Sequence, residues 1–129
     1  MGFSNTLEVL ASGMKSQSQR LRHVSENIAN ADTPGYRRKM VSFEEMVKAG
    51  EKSGAVQLGR VQLDQSDLPK VHDPSHPLAG DTGHYDGSNV DLLIELADAR
   101  EAQRSYEANL KMFEQTRKMS NKLNEIMRQ

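Results

Sequence analysis

Ser25-Glu26-Asn27-Ile28-Ala29-Asn30-Ala31-Asp32-Thr33-Pro34-Gly35-Tyr36 is where the chain changes character. Upstream of it, Leu7, Leu10, Met14, Leu21, Val24, Ile28 and Ala31 recur at steps of three and four, interrupted only where Gln17 takes an apolar place. That spacing predicts a helix burying one narrow seam. Asn5 followed by Glu8 reads as the helix start, and Pro34 forces the end near Asp32 because the residue before a proline is pushed out of helical backbone. A helix of about 27 residues is about 40 Å long at 1.5 Å per residue. Pro34-Gly35 suits a type II turn, which would make Tyr36 an anchor placed by a rigid corner. Asn27 and Asn30, one turn apart, could satisfy free helix carbonyls or bond to a neighbouring chain.

The far end repeats the theme. Leu92, Leu96, Ala99, Gln103, Tyr106, Leu110 and Phe113 step by four and three, and the pattern drifts onward through Thr116, Met119, Leu123 and Ile126. Beside it runs a charged stripe from Arg100 and Arg104 to Lys122 and Glu125, with Glu107/Lys111 and Glu114/Lys118 in the favourable order four residues apart. Such a stripe is expected to face solvent. Both seams are narrower than the apolar face of a helix in an ordinary globular core. The natural partner of each helix is therefore another long helix. Pairing the two leaves the C-terminal one overhanging by roughly a dozen residues, or about 18 Å, which asks for a neighbouring molecule.

Between the helices, Val56-Gln57-Leu58 and Val61-Gln62-Leu63 alternate as short strands, and Gly50, Gly54, Gly59, Pro69, Pro74, Pro77, Gly80, Gly83 and Gly87 punctuate the rest. The expected architecture is α+β: long N- and C-terminal helices pairing as a coiled coil around a small β-rich central insert. Residues 1–32 and 89–129 would form one discontinuous inner domain, with residues 33–88 as the insert.

Composition agrees with a chain that relies on partners. Of 129 residues, 36% are hydrophobic and 5% aromatic, with no Trp, so the internal core is modest. Lys and Arg outnumber acids six to three over residues 1–39, trail them four to eight over 40–89, and match them seven to seven over 90–129. A general nucleic-acid binder needs a basic face that this distribution lacks, and Arg37-Arg38-Lys39 alone reads as a solvated or acid-paired patch. Zero cysteines exclude disulfides and thiolate metal sites. No run approaches the ~20 apolar residues of a membrane span, and the first residues do not resemble a cleaved secretory signal. The expectation is a cytosolic protein or one exported without such a signal.

Candidates for chemistry are few. His72 and His76 are four apart, but Pro74 and Pro77 forbid the helix that would align them, so loop polarity explains them without a metal. No nucleophile elbow, phosphate loop or carboxylate pair in a pocket-forming pattern is present, and neither an enzyme nor a cofactor is expected.

Asn27-Ile28-Ala29-Asn30-Ala31-Asp32-Thr33-Pro34-Gly35-Tyr36 closely resembles the N-terminal signature of the flagellar axial proteins, the rod, hook and hook-associated group. Asn89-Val90-Asp91, Leu93-Ile94-Glu95 and Arg104-Ser105-Tyr106-Glu107-Ala108-Asn109 resemble the C-terminal signature of its small rod members. Asp73-Pro74-Ser75-His76-Pro77-Leu78-Ala79 and the Arg104 run look like one proximal-rod type. His72 and Asp86-Gly87-Ser88 depart from it, the latter towards a neighbouring type. The resemblance implies terminal helices layered as coiled coils around an export channel and an insert facing outward. It implies a subunit exported unfolded through the flagellar type III apparatus, and a rod that crosses the periplasm and transmits torque. Partners would be other copies and adjacent rod proteins of the FlgB, FlgF and FliE type. The residues implied at subunit interfaces are Asn27, Ile28, Ala29, Asn30, Pro34, Gly35, Tyr36, Asn89, Val90, Arg104, Ser105, Tyr106, Asn109, Leu110 and Phe113. A cytosolic helical adaptor using the same seams is the alternative from another class.

Overall fold

Two long helices carry the molecule in a computed structural model that describes residues 2–48 and 50–129. The first, α1, spans Phe3–Ala29. It starts before the expected Asn5 cap: the Thr6 amide already donates to the Gly2 carbonyl at 3.3 Å, and nothing in Phe3-Ser4 opposes helix. It also stops short of Asp32. The Asn30 side-chain amide donates to the Glu26 carbonyl at 2.8 Å, and tighter bonds from Ala31 N to Ile28 O and from Thr33 N to Asn30 O unwind the chain into the corner. The second helix, α2, spans Leu92–Met127, with the Asp91 carboxylate accepting the Leu93 amide at 3.0 Å as its N-cap.

The helices pair antiparallel. Asn27 meets Glu95, Arg20 meets Asp98 and Glu101, and Gly13 faces Asn109. A Cβ on Gly13 would stand 2.7 Å from the Asn109 side chain, so glycine there permits the close approach. From Asn27 opposite Glu95 and Gly13 opposite Asn109, Phe3 falls level with about residue 119. About eight residues of α2, or about 12 Å, extend beyond α1. The overhang is shorter than expected because Asn27 and Glu95 set the register, and α1 begins early.

The chain between the helices forms six strands: β1 Lys39–Met40, β2 Phe43–Lys48, β3 Glu51–Leu58, β4 Gln62–Leu63, β5 Lys70–His72 and β6 His84–Asp86. They make three two-stranded antiparallel ladders, β1 with β4, β2 with β3, and β5 with β6. The two alternating stretches read from the sequence are the end of β3 and most of β4. The β2 strand gave no such signal, because Phe43-Glu44-Glu45-Met46-Val47 does not alternate and its pairing shifts register between Glu45 and Val47. The β2–β3 hairpin folds back along α1. The Ser12 hydroxyl accepts the Val56 amide at 3.0 Å, and the Ser16 hydroxyl donates to the Val56 carbonyl at 3.4 Å. Thus α1 is covered on one side by α2 and on another by the hairpin.

Among the described residues the buried apolar set is Leu10, Val24, Ala55 and Ala102, accompanied by buried Ser16, Asn27, Ser88 and Glu95. Polar side chains therefore make up half of what is inside, and their bonds decide how the ends of the helices meet. No helix among these residues is long and apolar enough to cross a membrane.

Candidate functional site

The corner is built as its sequence predicts. Tyr36 N donates to the Thr33 carbonyl at 3.2 Å, and Gly35 between them has φ +73°, the positive value that a type II turn requires at that place. The Gly35 amide is shared by the carbonyls of Asp86 and Gly87, which ties the corner to the chain leaving β6. A Cβ on Gly35 would meet nothing within 4 Å, so the cost of a side chain there is conformational. Gly35→Val should lose about 1 to 3 kcal/mol of folding free energy and Gly35→Asn distinctly less, since asparagine tolerates the left-handed region; urea unfolding of the three proteins tests the order.

Behind the corner lies a buried polar junction. Asn27, on the last turn of α1, uses its amide completely: Nδ2 donates to the Lys39 carbonyl at 3.0 Å and to Glu95 Oε2 at 3.2 Å. Its Oδ1 accepts the Lys39 amide and the Tyr36 hydroxyl, each at 2.8 Å. Glu95, from the first turn of α2 and 0% exposed, accepts Arg38 Nε at 2.7 Å. Arg38 also stands 3.6 Å from carboxylates of Asp64 and Asp98. Asn89 completes the set: its Oδ1 accepts the Arg38 amide at 2.7 Å, its Nδ2 donates to the Asp64 carbonyl at 2.9 Å, and its backbone N–H donates to the Tyr36 carbonyl at 3.2 Å. The Ser88 hydroxyl donates to the Ala31 carbonyl.

Titration behaviour follows the bonding. Burial pushes the Tyr36 phenol up. Burial alone would push Arg38 down, but its bond to Glu95, with Asp64 and Asp98 beside it, more than offsets this and holds it above the usual value. Hydrogen bonds from the Ser66 amide and hydroxyl, then Arg38, hold Asp64 below the usual carboxylate range. The Lys39–Glu26 pair on the rim lowers Glu26 and raises Lys39.

Of the residues implied by resemblance, the junction gathers Asn27, Tyr36 and Asn89, with Pro34 and Gly35 in the turn that aims them. Asn30 caps its own helix. Ile28 and Val90 are half-buried and Ala29 is exposed. The α2 residues divide. Tyr106, Asn109 and Phe113 are half-buried on the face shared with Glu95 and Ala102, Ser105 is half-buried beside them, and Arg104 and Leu110 are exposed. The expected single seam through Leu92, Leu96, Ala99, Gln103, Tyr106, Leu110 and Phe113 is thus two faces. At 100° per residue, Leu92, Leu96, Gln103 and Leu110 sit about a quarter turn from Glu95, Ala102 and Asn109. The paired face mixes small and polar residues with Tyr106 and Phe113, and Leu92, Leu96 and Leu110 flank it, with Leu96 50% and Leu110 37% exposed. The sequence reading passed over Glu95 and Arg38 as junction residues. A lone acid on a prospective helix seam, with an arginine shortly after the turn, was the available signal.

The histidines are arranged otherwise than their spacing suggested. His72 pairs across the β5–β6 ladder with His84, their ring centres 4.6 Å apart, and His76 stacks on Tyr85 at 4.0 Å. Among the described residues no group of three or more His, Cys, Asp or Glu side chains is placed to hold a metal ion. The departure at Gly87 also has a structural reason: a Cβ there would stand 3.1 Å from Val71, and its amide donates to the Pro69 carbonyl at 2.8 Å.

Comparison with known proteins falls on the same segments. A family model described as flagella basal body rod protein matches residues 7–37, and one described as flagellar basal body rod FlgEFG protein C-terminal matches residues 82–126. The chain is 44% identical over 117 residues to the flagellar basal-body rod protein FlgC of Agrobacterium fabrum, covering 85% of this chain and 84% of that one. It is 34% identical over 144 residues to the FlgC of Bacillus subtilis, covering 95% and 96%. With the FlgC of Salmonella typhimurium it shares 31% over 125 residues, covering 92% and 93%. Relatives from such distant bacteria, each matched over more than four fifths of both chains, place it: the chain belongs to the FlgC family of flagellar basal-body rod proteins.

Proposed function

We propose that this chain is a non-catalytic structural subunit of the proximal rod of the bacterial flagellar basal body. It polymerises through its terminal helices with other copies and with adjacent rod proteins of the FlgB, FlgF and FliE type. The layered helices surround an export channel, and the assembled rod crosses the periplasm and transmits torque. Subunits reach it unfolded through the flagellar type III apparatus, without a cleaved signal.

The observation that carries this reading is the outward flank of α2. Once α1 is paired, Leu92, Leu96 and Leu110 remain exposed on one flank of α2, and Met119, Leu123 and Ile126 on another side towards its end. Apolar residues left exposed on a helix whose other face is paired mark an interaction site, and the helices of neighbouring subunits would cover them.

The test is motility and basal-body yield for Leu110→Asp beside Lys111→Asp. Leu110→Asp should abolish swimming and rod formation while the protein is still exported. Its unfolding midpoint should stay near that of the parent, as surface substitutions usually shift stability by less than about 0.5 kcal/mol. Lys111→Asp, on the charged stripe, should swim. Equal damage from both would overturn the assignment of this flank.

A further inference from the structure

We propose that His72 and His84 form a two-histidine site for a divalent late transition metal, of the Cu(II), Ni(II) and Zn(II) class that imidazole suits.

Spacing along the chain offered His72 with His76, and Pro74 and Pro77 removed the helix that would align them. The fold supplies a different partner. Strand β5 pairs with β6 so that His72 stands directly across from His84. The Asp73 amide donates to the Gly83 carbonyl at 2.9 Å and the Gly87 amide to the Pro69 carbonyl at 2.8 Å, which makes those two pairs hydrogen-bonded ones. By alternation along the ladder His72/His84 is a non-hydrogen-bonded pair, where Cα atoms are about 4.5 Å apart and side chains come closest.

The two ring centres are 4.6 Å apart. With a metal–nitrogen distance of about 2.0 Å and a ring centre about 1.15 Å beyond the nitrogen, two imidazoles on one ion have centres about 4.5 Å apart at a right angle and about 5.1 Å apart at the tetrahedral angle. The rings already stand at the separation that one shared ion sets.

Their surroundings suit the same role. Nδ1 of His84 lies 3.0 Å from the Thr82 carbonyl, which can only accept, so Nδ1 carries the proton and Nε2 keeps its lone pair. A metal-bound histidine commonly has its other ring N–H held by a backbone carbonyl in this way. Gly83 makes room for the His72 ring, since a Cβ there would stand 3.2 Å from His72 Cε1 and 3.1 Å from Pro74 Cγ. Both histidines are exposed, so an ion reaches them from water, and water fills its remaining positions. His76 is engaged elsewhere: its Nδ1 accepts the Leu78 amide at 3.1 Å, and its ring stacks on Tyr85, whose side chain leaves the strand on the face opposite to His84.

The loop joining the strands is closed without the ion, with the Gly80 amide on the His84 carbonyl at 3.0 Å and the Gly83 amide on the Gly80 carbonyl at 2.9 Å. Binding therefore has little chain left to order. An ion on both rings bridges β5 to β6, and β6 runs on into the Asp86 and Gly87 carbonyls that hold the Gly35 amide. Bound metal thus clamps the part of the insert on which the corner rests, and anything that binds the folded chain alone raises its stability.

The test uses the whole chain without an affinity tag, titrated with Cu(II) and read by electron paramagnetic resonance, with thermal unfolding in the presence and absence of Zn(II). The parent should show two imidazole nitrogens on one ion. It should bind Cu(II) at least about tenfold more tightly than His72→Gln or His84→Gln, because the second ring joins the ion within one molecule. Zn(II) should raise the Tm of the parent and of His76→Gln, and leave the other two variants unmoved. Coordination by a single imidazole, parent binding no tighter than that of His72→Gln or His84→Gln, or an equal loss in His76→Gln would each overturn the site.

Discussion

Arg38→Ala should lower the unfolding free energy by about 3 to 5 kcal/mol, the usual result of removing one partner from a buried ion pair. The reason is Glu95. Its carboxylate is 0% exposed on the inner face of α2, and Arg38 Nε at 2.7 Å is its cationic partner, the remaining bond coming from the neutral Asn27 amide. Removing the guanidinium strands a charge between the helices. The pairs that Arg38 makes with Asp64 and Asp98 are longer and more exposed and contribute little. Replacing both residues by methionine should recover much of the loss, since apolar substitution of a buried pair is often neutral or stabilising. Urea unfolding of Arg38→Ala, Glu95→Met and Arg38→Met/Glu95→Met at one pH separates the outcomes. A single Arg38→Ala variant as stable as the parent would show that Glu95 reaches water in solution.

Asn27→Leu should cost about 3 kcal/mol, from buried groups left without partners at roughly 1 to 3 kcal/mol each. Leucine has a similar size but offers nothing to the Lys39 amide, the Lys39 carbonyl or the Tyr36 hydroxyl. Amide exchange at Lys39 should accelerate, because its proton is held by Asn27 Oδ1 at 2.8 Å. The loss in an Asn27→Leu/Arg38→Ala double variant should fall short of the sum of the two, as both act on Glu95. Full additivity would mean that the two bonds to Glu95 are independent, and the junction would then be a set of separate contacts.

The corner and the two helices were legible in the sequence because their causes are local. Pro34 restricts Thr33, Gly35 admits positive φ, and three-four spacing marks a helix whatever it packs against. The phase of α2 was not legible. Spacing joins Leu92, Leu96 and Leu110 to Tyr106 and Phe113 in one seam, whereas the intramolecular partner contacts the face with Glu95, Ala102 and Asn109, where only Tyr106 and Phe113 of these lie. A helix with different neighbours inside and outside the subunit carries both patterns, and spacing alone merges them. The hairpin against α1 was hidden for another reason: its attachment runs through Ser12, Ser16 and the backbone of Val56, and serine on a helix face reads as solvent. Asn27 and Asn30 looked equivalent by spacing, yet one is the centre of a buried network and the other closes its own helix.

The hydrogen bonds and ion pairs between the helices gather towards one end, from Arg20 to Asn27 of α1 against Glu95 to Glu101 of α2, and beyond Gly13 the pair is held by packing. Such a joint acts mechanically as a pivot with a short lever. The ten residues from Phe3 to Ser12 make an arm of about 15 Å, so a change of about 5° at its base moves the tip by about 1 Å. A subunit built this way can meet neighbours at slightly different radii by small adjustments at a few hydrogen bonds, leaving both helices straight.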